Sequence, residues 1–310
     1  MAARNETETE EKSILLTGAS GMVGSALRPL LSDKGYRIMS LTRDRGKAND
    51  GAVFWDPDAG EIDPGKLEGL FGVIHLAGEN IASGKWTKAK KERIRESRVR
   101  GTGLLARTLA GLEEKPSVLV SASGVNYYGD CGEERVTEDQ PAGEGFLAGV
   151  CREWEAATEP AEKGGVRVVR LRTGPVLSPK GGMLKKILPP FRAGAGGRIG
   201  NGRQYISWIA MDDLLGVIQF CLENEALRGP VNAVAPNPVT NAEFTRVLAK
   251  VLSRPALFPV PALGLRLLFG EMAGEMLLSG IRAVPRKVEE AGYTFQFPEL
   301  EAALRHVLAR

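Results

Sequence analysis

The chain has 310 residues, 43% hydrophobic and 25% charged, and its 41 Lys and Arg against 38 Asp and Glu leave a formal net charge of +3. That length suits one large core with a smaller lobe, and so small a charge surplus argues against a nucleic-acid binder. Three cysteines (Cys131, Cys151, Cys221) and two histidines (His75, His306) stand in no ligand spacing, which argues against a disulfide framework, a metal site or a histidine-based triad.

Residues 1–12 (MAARNETETEEK) are polar and acidic, so they predict a tail outside the fold and lack the apolar stretch of a signal peptide. Residues 13–17 form a short apolar run that ends in glycines, and helical spacing over 26–31 stops at Gly35. A second strand is predicted over 36–41 and a third over 73–77, again followed by glycine. Residues 85–100 (KWTKAKKERIRESRVR) read as the solvated face of a long helix over 86–112 rather than as a phosphate-binding or nucleic-acid surface. A strand over 117–121, a helix over 149–161 and a strand over 167–171 continue the alternation.

Strands alternating with helices predict an α/β fold: a Rossmann-type doubly wound parallel sheet with a smaller C-terminal α/β lobe, and a ligand crevice at the strands' carboxyl ends. The dinucleotide-binding domain is expected over 13–180, with later segments returning to the sheet, and the lobe over 181–310. Within that lobe, 212–223 and 241–251 read as helices. The apolar stretch 260–278 is broken by Pro, Gly, Arg and Glu, so it predicts a buried or partner-facing helix rather than a membrane span of ~18 or more apolar residues.

The first strand runs straight into Thr17-Gly18-Ala19-Ser20-Gly21-Met22-Val23-Gly24, where a helix opens. In that context Gly18 allows a tight turn, Gly21 a close approach of backbone to a pyrophosphate, and Gly24 close packing of helix on sheet, while the helix N-terminus supplies amides and a positive dipole. Ser20, Met22 and Val23 complete the expected phosphate-facing turn. After the second strand, an NAD site places a carboxylate on the ribose, but this chain has Thr42-Arg43, with Asp44 one position later. An arginine there suits a 2′-phosphate, so NADP(H) is expected in preference to NAD(H).

The pattern T-G-x-x-G-x-x-G, the strand end His75-Leu76-Ala77-Gly78, and Val120-Ser121-Ala122-Ser123 followed by Tyr127-Tyr128-Gly129 resemble the extended short-chain dehydrogenase/reductase superfamily. Leu76-Ala77-Gly78-Glu79-Asn80-Ile81, Trp86 with Ser97-Arg98, Trp154-Glu155-Ala156-Ala157 and the loop 191–208 (FRAGAGGRIGNGRQYISW) narrow this to its atypical epimerase-family subgroup. Asn232-Ala233-Val234-Ala235-Pro236 and the tail residues 292–300 extend the likeness over nearly the whole chain, including a family-specific segment over about 259–307. The resemblance implies cofactor contacts from the glycine loop, Thr42, Arg43, Leu76, Ala77, Gly78, Glu79, Arg98 and Val176, the last within Gly174-Pro175-Val176. Arg98 also has a charge argument of its own, since a cation facing the crevice would neutralise pyrophosphate.

The wider superfamily uses a tyrosine with a lysine four residues later as its proton-transfer pair. Aligned on Trp154-Glu155, this chain places Leu147 and Cys151 there. The remaining candidates for proton chemistry are Ser123, Tyr127 and Tyr128, with Ser121 an alternative to Ser123; Cys151 would be a nucleophile only with a depressed pKa. Arg192, Arg198, Arg203 and Gln204 could bind an anionic group, and Tyr205 and Trp208 could stack on a ring.

Two functions follow as expectations. One is an NADP(H)-dependent epimerase or oxidoreductase acting on a small hydroxylated or sugar-nucleotide substrate. The other, motivated by the missing pair, is a catalytically degenerate NADP(H)-binding sensor or scaffold. Neither requires a metal, nucleic acid or membrane, and both suit a cytoplasmic monomer or homodimer.

Overall fold

The computed structural model describes residues 12–309; the tail expected over 1–12 lies outside them except for Lys12. At its centre is a sheet of eight strands: β1 (Ser13–Thr17), β2 (Arg37–Thr42), β3 (Ala52–Asp56), β4 (Glu61–Ile62), β5 (Gly72–His75), β6 (Val118–Gly124), β7 (Arg167–Thr173) and β8 (Gly229–Ala233). Their spatial order is β8-β7-β6-β5-β1-β2-β3-β4. All neighbours are parallel except the β3–β4 hairpin at one edge. The order reverses between β1 and β5, so the connections diverge there and leave a crevice above the carboxyl ends of those two strands.

The helices are α1 (Met22–Asp33), α2 (Lys88–Gly111), α3 (Phe146–Ala156), α4 (Glu159–Lys163), α5 (Gly182–Arg192), α6 (Met211–Glu223), α7 (Asn241–Leu252) and α8 (Ala262–Phe269), followed by shorter pieces and a last helix, Leu300–Val307. Successive strand residues point to opposite faces. Ile14, Leu16, Ile74, Val118, Val120, Val169 and Leu171 bury one face against Leu27 and Leu31 of α1 and Leu214, Val217 and Ile218 of α6. Leu15, Val73, Leu119 and Val168 bury the other against Leu105 and Leu109 of α2 and Ala161 of α4. Both faces being covered explains why the central strands are apolar throughout rather than alternating.

The lobe has its own core, in which Leu184, Leu188 and Phe191 of α5, Phe244 and Leu248 of α7, and Leu300 and Leu304 surround the fully buried Trp208. Between its parts, α6 and β8 return to the sheet. β8 begins Gly229-Pro230, and an edge strand tolerates the proline because its missing N–H costs no ladder bond on the free side.

Three sequence expectations change. The helix expected over 149–161 is two helices: Pro160 sits in the first turn of α4, where its absent N–H is harmless, and the chain bends before it. α3 also starts earlier, at Phe146, because Glu275 accepts from the Phe146 and Leu147 amides at 2.7 and 2.9 Å. In the 260–278 segment, Met272 and Ala273 are buried, yet no residue of α8 is.

Candidate nucleotide-binding crevice and adjoining cavity

The corner between β1 and α1 is shaped by backbone contacts. Gly18 has φ +68°, and a Cβ there would stand 2.9 Å from the Leu76 carbonyl; a Cβ on Gly24 would fall within van der Waals distance of the Gly18 carbonyl. The Gly21 amide bonds the Gly18 carbonyl at 2.9 Å, closing the turn. Gly21 caps α1 with no side-chain hydrogen bond, so the first-turn amides at Met22 and Val23 face outward with Ser20 exposed beside them. Such a corner fits a pyrophosphate: small backbone, free donors and positive dipole coincide. Met22 reaches across the crevice, since a Cβ on Gly181, at the start of α5, would meet its Sδ at 2.6 Å.

On the β5 side, Thr17 Oγ1 accepts from the Leu76 and Ala77 amides at 3.1 and 3.2 Å and lies 2.8 Å from His75 Nδ1. With both lone pairs used, its hydroxyl proton goes to Nδ1. His75 therefore carries its own proton on Nε2, which lies 2.9 Å from Thr102 Oγ1; that oxygen also accepts from Trp154 Nε1 at 2.9 Å. Burial pushes the His75 imidazole down to about 4, so it is neutral. The Leu76 and Ala77 amides are thus consumed inside the fold, and these residues offer a ligand their carbonyls and side chains.

Gly78 lies against Arg98 of α2, whose Cζ would be 3.2 Å from a Cβ on Gly78. Arg98 donates to the Ile94 carbonyl at 3.0 Å and stacks 4.9 Å from the Trp154 ring centroid. Burial lowers its pKa, although a guanidinium stays charged at neutral pH. Glu79 accepts from the buried Lys90 ammonium at 2.5 Å, which holds its carboxyl below the usual range, and its amide donates to Ser97 Oγ at 3.1 Å. Thr42 Oγ1 accepts from the Asp44 amide at 3.2 Å, while Arg43 is exposed, with no hydrogen bond or ion pair among the described residues. Val176 is half-buried, in register with Ile209 in a short parallel pair. In the basic run, Lys90, Lys91, Arg95 and Arg100 all have acidic partners.

Beyond β6 the candidate proton donors divide. Ser123 donates to Glu155 Oε1 at 2.8 Å, and Arg172 holds the same carboxylate through two bonds of 2.8 and 2.9 Å. Tyr128 is 4% exposed; its hydroxyl donates to Asn232 Oδ1 at 2.7 Å and accepts from Arg172 at 3.0 Å, and burial pushes it up to about 12. Engagement on both sides weighs against its transferring a proton to a ligand. Tyr127 is half-buried, with its ring centroid 3.5 Å from the Arg172 guanidinium carbon. Leu147 and Cys151 are buried in α3, and burial pushes the Cys151 thiol up to about 11, which leaves it a poor nucleophile. Ser121 Oγ is buried without a partner.

A cavity opens between the corner that follows β6 and the 266–281 segment. Its inner part is lined by Asn126, Pro175, Met183, Gln204, Tyr205 and Ser207; Pro175 immediately precedes Val176 at the carboxyl end of β7. Its outer part includes Asp130, Glu144 and Arg266, and Asn126, Glu275 and Ser279 border both. Arg192, Arg198 and Arg203 are exposed and line neither part, and Trp208 is core, so of the residues suggested for anion binding or stacking only Gln204 and Tyr205 face this space. Sequence reasoning missed Glu275 and Asn126. Glu275 sits in a π-helical turn, Gly274–Leu278, a geometry that recurs at functional sites. The available signal was a pair of carboxylates, Glu271 and Glu275, inside a largely apolar run. No group of His, Cys, Asp and Glu among the described residues could hold a metal ion, and no helix among them is long and apolar enough to cross a membrane.

A doubly wound sheet, a glycine corner at its switch point and a second lobe over the strand ends define a nucleotide-binding protein of the short-chain dehydrogenase/reductase type. The profile of the NAD dependent epimerase/dehydratase family matches residues 14–233, and a domain of unknown function, DUF1731, matches 260–307. The chain belongs to the NAD dependent epimerase/dehydratase family. It is 41% identical over 297 residues to the epimerase family protein Mb2239 of Mycobacterium bovis, covering 96% of this chain and 98% of that one. A crystal structure of human epimerase family protein SDR39U1 with NADPH superposes with a TM-score of 0.87 at 33% identity, covering 96% and 99% of the two chains. A Corynebacterium glutamicum structure described as a nucleoside-diphosphate sugar epimerase gives 0.78 at 36% identity, covering 96% of this chain and 58% of that one.

Proposed function

We propose that this chain binds NADP(H) in the β1–β5 crevice and acts on a small hydroxylated substrate held in the adjoining cavity. The observation that carries the reading is the proximity of the two: a Cβ on Gly182 would stand 3.6 Å from the Val176 carbonyl oxygen and 3.8 Å from Met22 Cε at the glycine corner, and the neighbouring residues Pro175 and Met183 line the cavity. In this reading the corner amides and Arg98 neutralise the pyrophosphate, and the exposed, unengaged Arg43 takes the 2′-phosphate, which favours NADP(H) over NAD(H). Bound nicotinamide would supply hydride transfer. Glu79, tied to Lys90, shapes the crevice wall, and the human relative crystallised with NADPH supports the choice of cofactor.

The lining favours hydroxyl groups over a strongly anionic ligand. Asn126 and Tyr205 supply neutral polar groups, Gln204, Ser207 and Ser279 donate to backbone carbonyls, and the lining of the two parts sets four carboxylates, Asp130, Glu144, Glu271 and Glu275, against the single cation Arg266. A sugar-nucleotide would place its sugar among these groups. Tyr127 would handle the proton, while Ser123, Tyr128 and Glu275 keep structural partners. A cytoplasmic setting belongs to the same reading, supported by three unpaired cysteines.

A second reading, a sensor or scaffold that binds NADP(H) without turnover, is favoured by one observation: Leu147 and Cys151, both buried, stand where the superfamily's tyrosine and lysine act. Fluorescence titration with NADPH and NADH, followed by nicotinamide absorbance against carbonyl and sugar-nucleotide panels, separates the two. Tight NADPH binding with oxidation of cofactor by a panel member supports the enzyme. Tight binding without turnover supports the sensor, and no binding removes both.

A further inference from the structure

The large hydrophobic side chains exposed among the described residues all fall between positions 257 and 269: Leu257 (78%), Phe258 (68%), Leu263 (71%), Leu267 (80%), Leu268 (65%) and Phe269 (39%). α8 reads ALGLRLLF, apolar apart from Arg266, which is the composition of a helix with most of its surface covered. Yet none of its residues is buried. At roughly 150–200 Å² for a large apolar side chain, the six expose on the order of 700 Å². Within thirteen residues of chain, that sum approaches the ~800 Å² that each partner contributes to a standard interface.

We propose that this face is the interface of a homodimer, with α8 of one copy packed on α8 of the other about a two-fold axis. The chemistry selects a second copy over other occupants. Residues 257–270 (LFPVPALGLRLLFG) carry one ionisable side chain, Arg266, whereas transient partners dock on surfaces as polar as the rest of a protein and obligate self-association uses patches depleted of charge. A two-fold axis lets one apolar patch cover itself, so no complementary surface elsewhere is required. The N-terminal residues 1–11 (MAARNETETEE) are polar and acidic and are chemically unsuited to cover it. A helix lying on a membrane surface carries a basic polar face, which α8 lacks. The interface also adjoins the cavity, because Arg266 and Gly270 line its outer part, so the partner copy stands at its rim.

Sedimentation equilibrium of the full chain across a dilution series tests this. The expected result is a species of twice the 33.3 kDa chain mass, and a dissociation constant raised at least about a hundredfold by the double substitution Leu263→Arg/Leu267→Arg, with circular dichroism and thermal midpoint unchanged because both side chains are exposed within one chain. A wild-type chain monomeric throughout overturns the proposal, as does a dimer indifferent to the double substitution. A monomer that floats with phosphatidylcholine/phosphatidylglycerol vesicles overturns it in favour of a membrane surface. Should the double variant fail to fold, hydrogen exchange of the wild type decides: protection of amides 262–269 that rises with concentration is expected, and concentration-independent exchange overturns the interface.

Discussion

Thr17 Oγ1 and His75 Nδ1 lie 2.8 Å apart, joining the ends of the two strands between which the sheet reverses. The bond orients the Thr17 hydroxyl so that its lone pairs receive the Leu76 and Ala77 amides, and it ties the crevice floor to α2 and α3 through Thr102 and Trp154.

This relay makes stability depend on pH. The His75 imidazole, ordinarily near 6.5, is held near 4 by burial, so between those values the unfolded chain binds a proton that the folded chain does not. Its contribution is complete above 6.5 and is lost as pH falls from 6.5 towards 4, by on the order of 3 kcal/mol. Urea denaturation at pH 7 and pH 5 should show the decline, and in His75→Gln the part due to this group should disappear. Thr17→Val leaves two part-buried amides unpaired and should cost about 1–3 kcal/mol at any pH.

The glycine corner predicts a graded response. In Gly24→Ala the new methyl collides with the Gly18 carbonyl, and only backbone movement relieves it. NADPH affinity should fall by more than about a hundredfold, equivalent to roughly 3 kcal/mol, as read by fluorescence titration. Gly111→Ala, where nothing lies within 4 Å of the added carbon, should bind normally.

Arg43 and Arg98 should separate the two ends of the cofactor. Losing one charge-assisted phosphate contact costs about 1.5–3 kcal/mol, a factor of roughly 10–150. Arg43→Ala should lose that much affinity for NADPH and none for NADH; Arg98→Ala should weaken both alike. Equal losses in Arg43→Ala would sink the 2′-phosphate assignment.

Arg172 and Tyr128 predict changes in stability before changes in turnover. Arg172→Met leaves the Glu155 carboxylate, with its side chain 9% exposed, without its cation and should cost about 3–5 kcal/mol, measured by thermal denaturation. Tyr128→Phe removes one hydroxyl between Arg172 and Asn232, at about 1–3 kcal/mol. Tyr127→Phe should leave stability unchanged, so any loss of turnover in it reports chemistry.

The local pattern of the chain already specified the parallel, doubly wound core. Apolar runs such as Ile14-Leu15-Leu16 need cover on both faces, and glycines at 18, 21 and 24 between a strand and a helix suit a phosphate-binding corner, because strand period, helix period and backbone freedom are short-range properties. Partners distant in the chain were decided only by tertiary packing. Neither Tyr128 nor Ser123 announces that Arg172, Asn232 and Glu155 will claim its hydroxyl, and the start of α3 moved to Phe146 because a carboxylate 129 residues away caps it. Hydrogen-bond satisfaction of buried groups is a property of the assembled core, so composition and spacing can nominate a reactive side chain but cannot tell whether the fold has already used it.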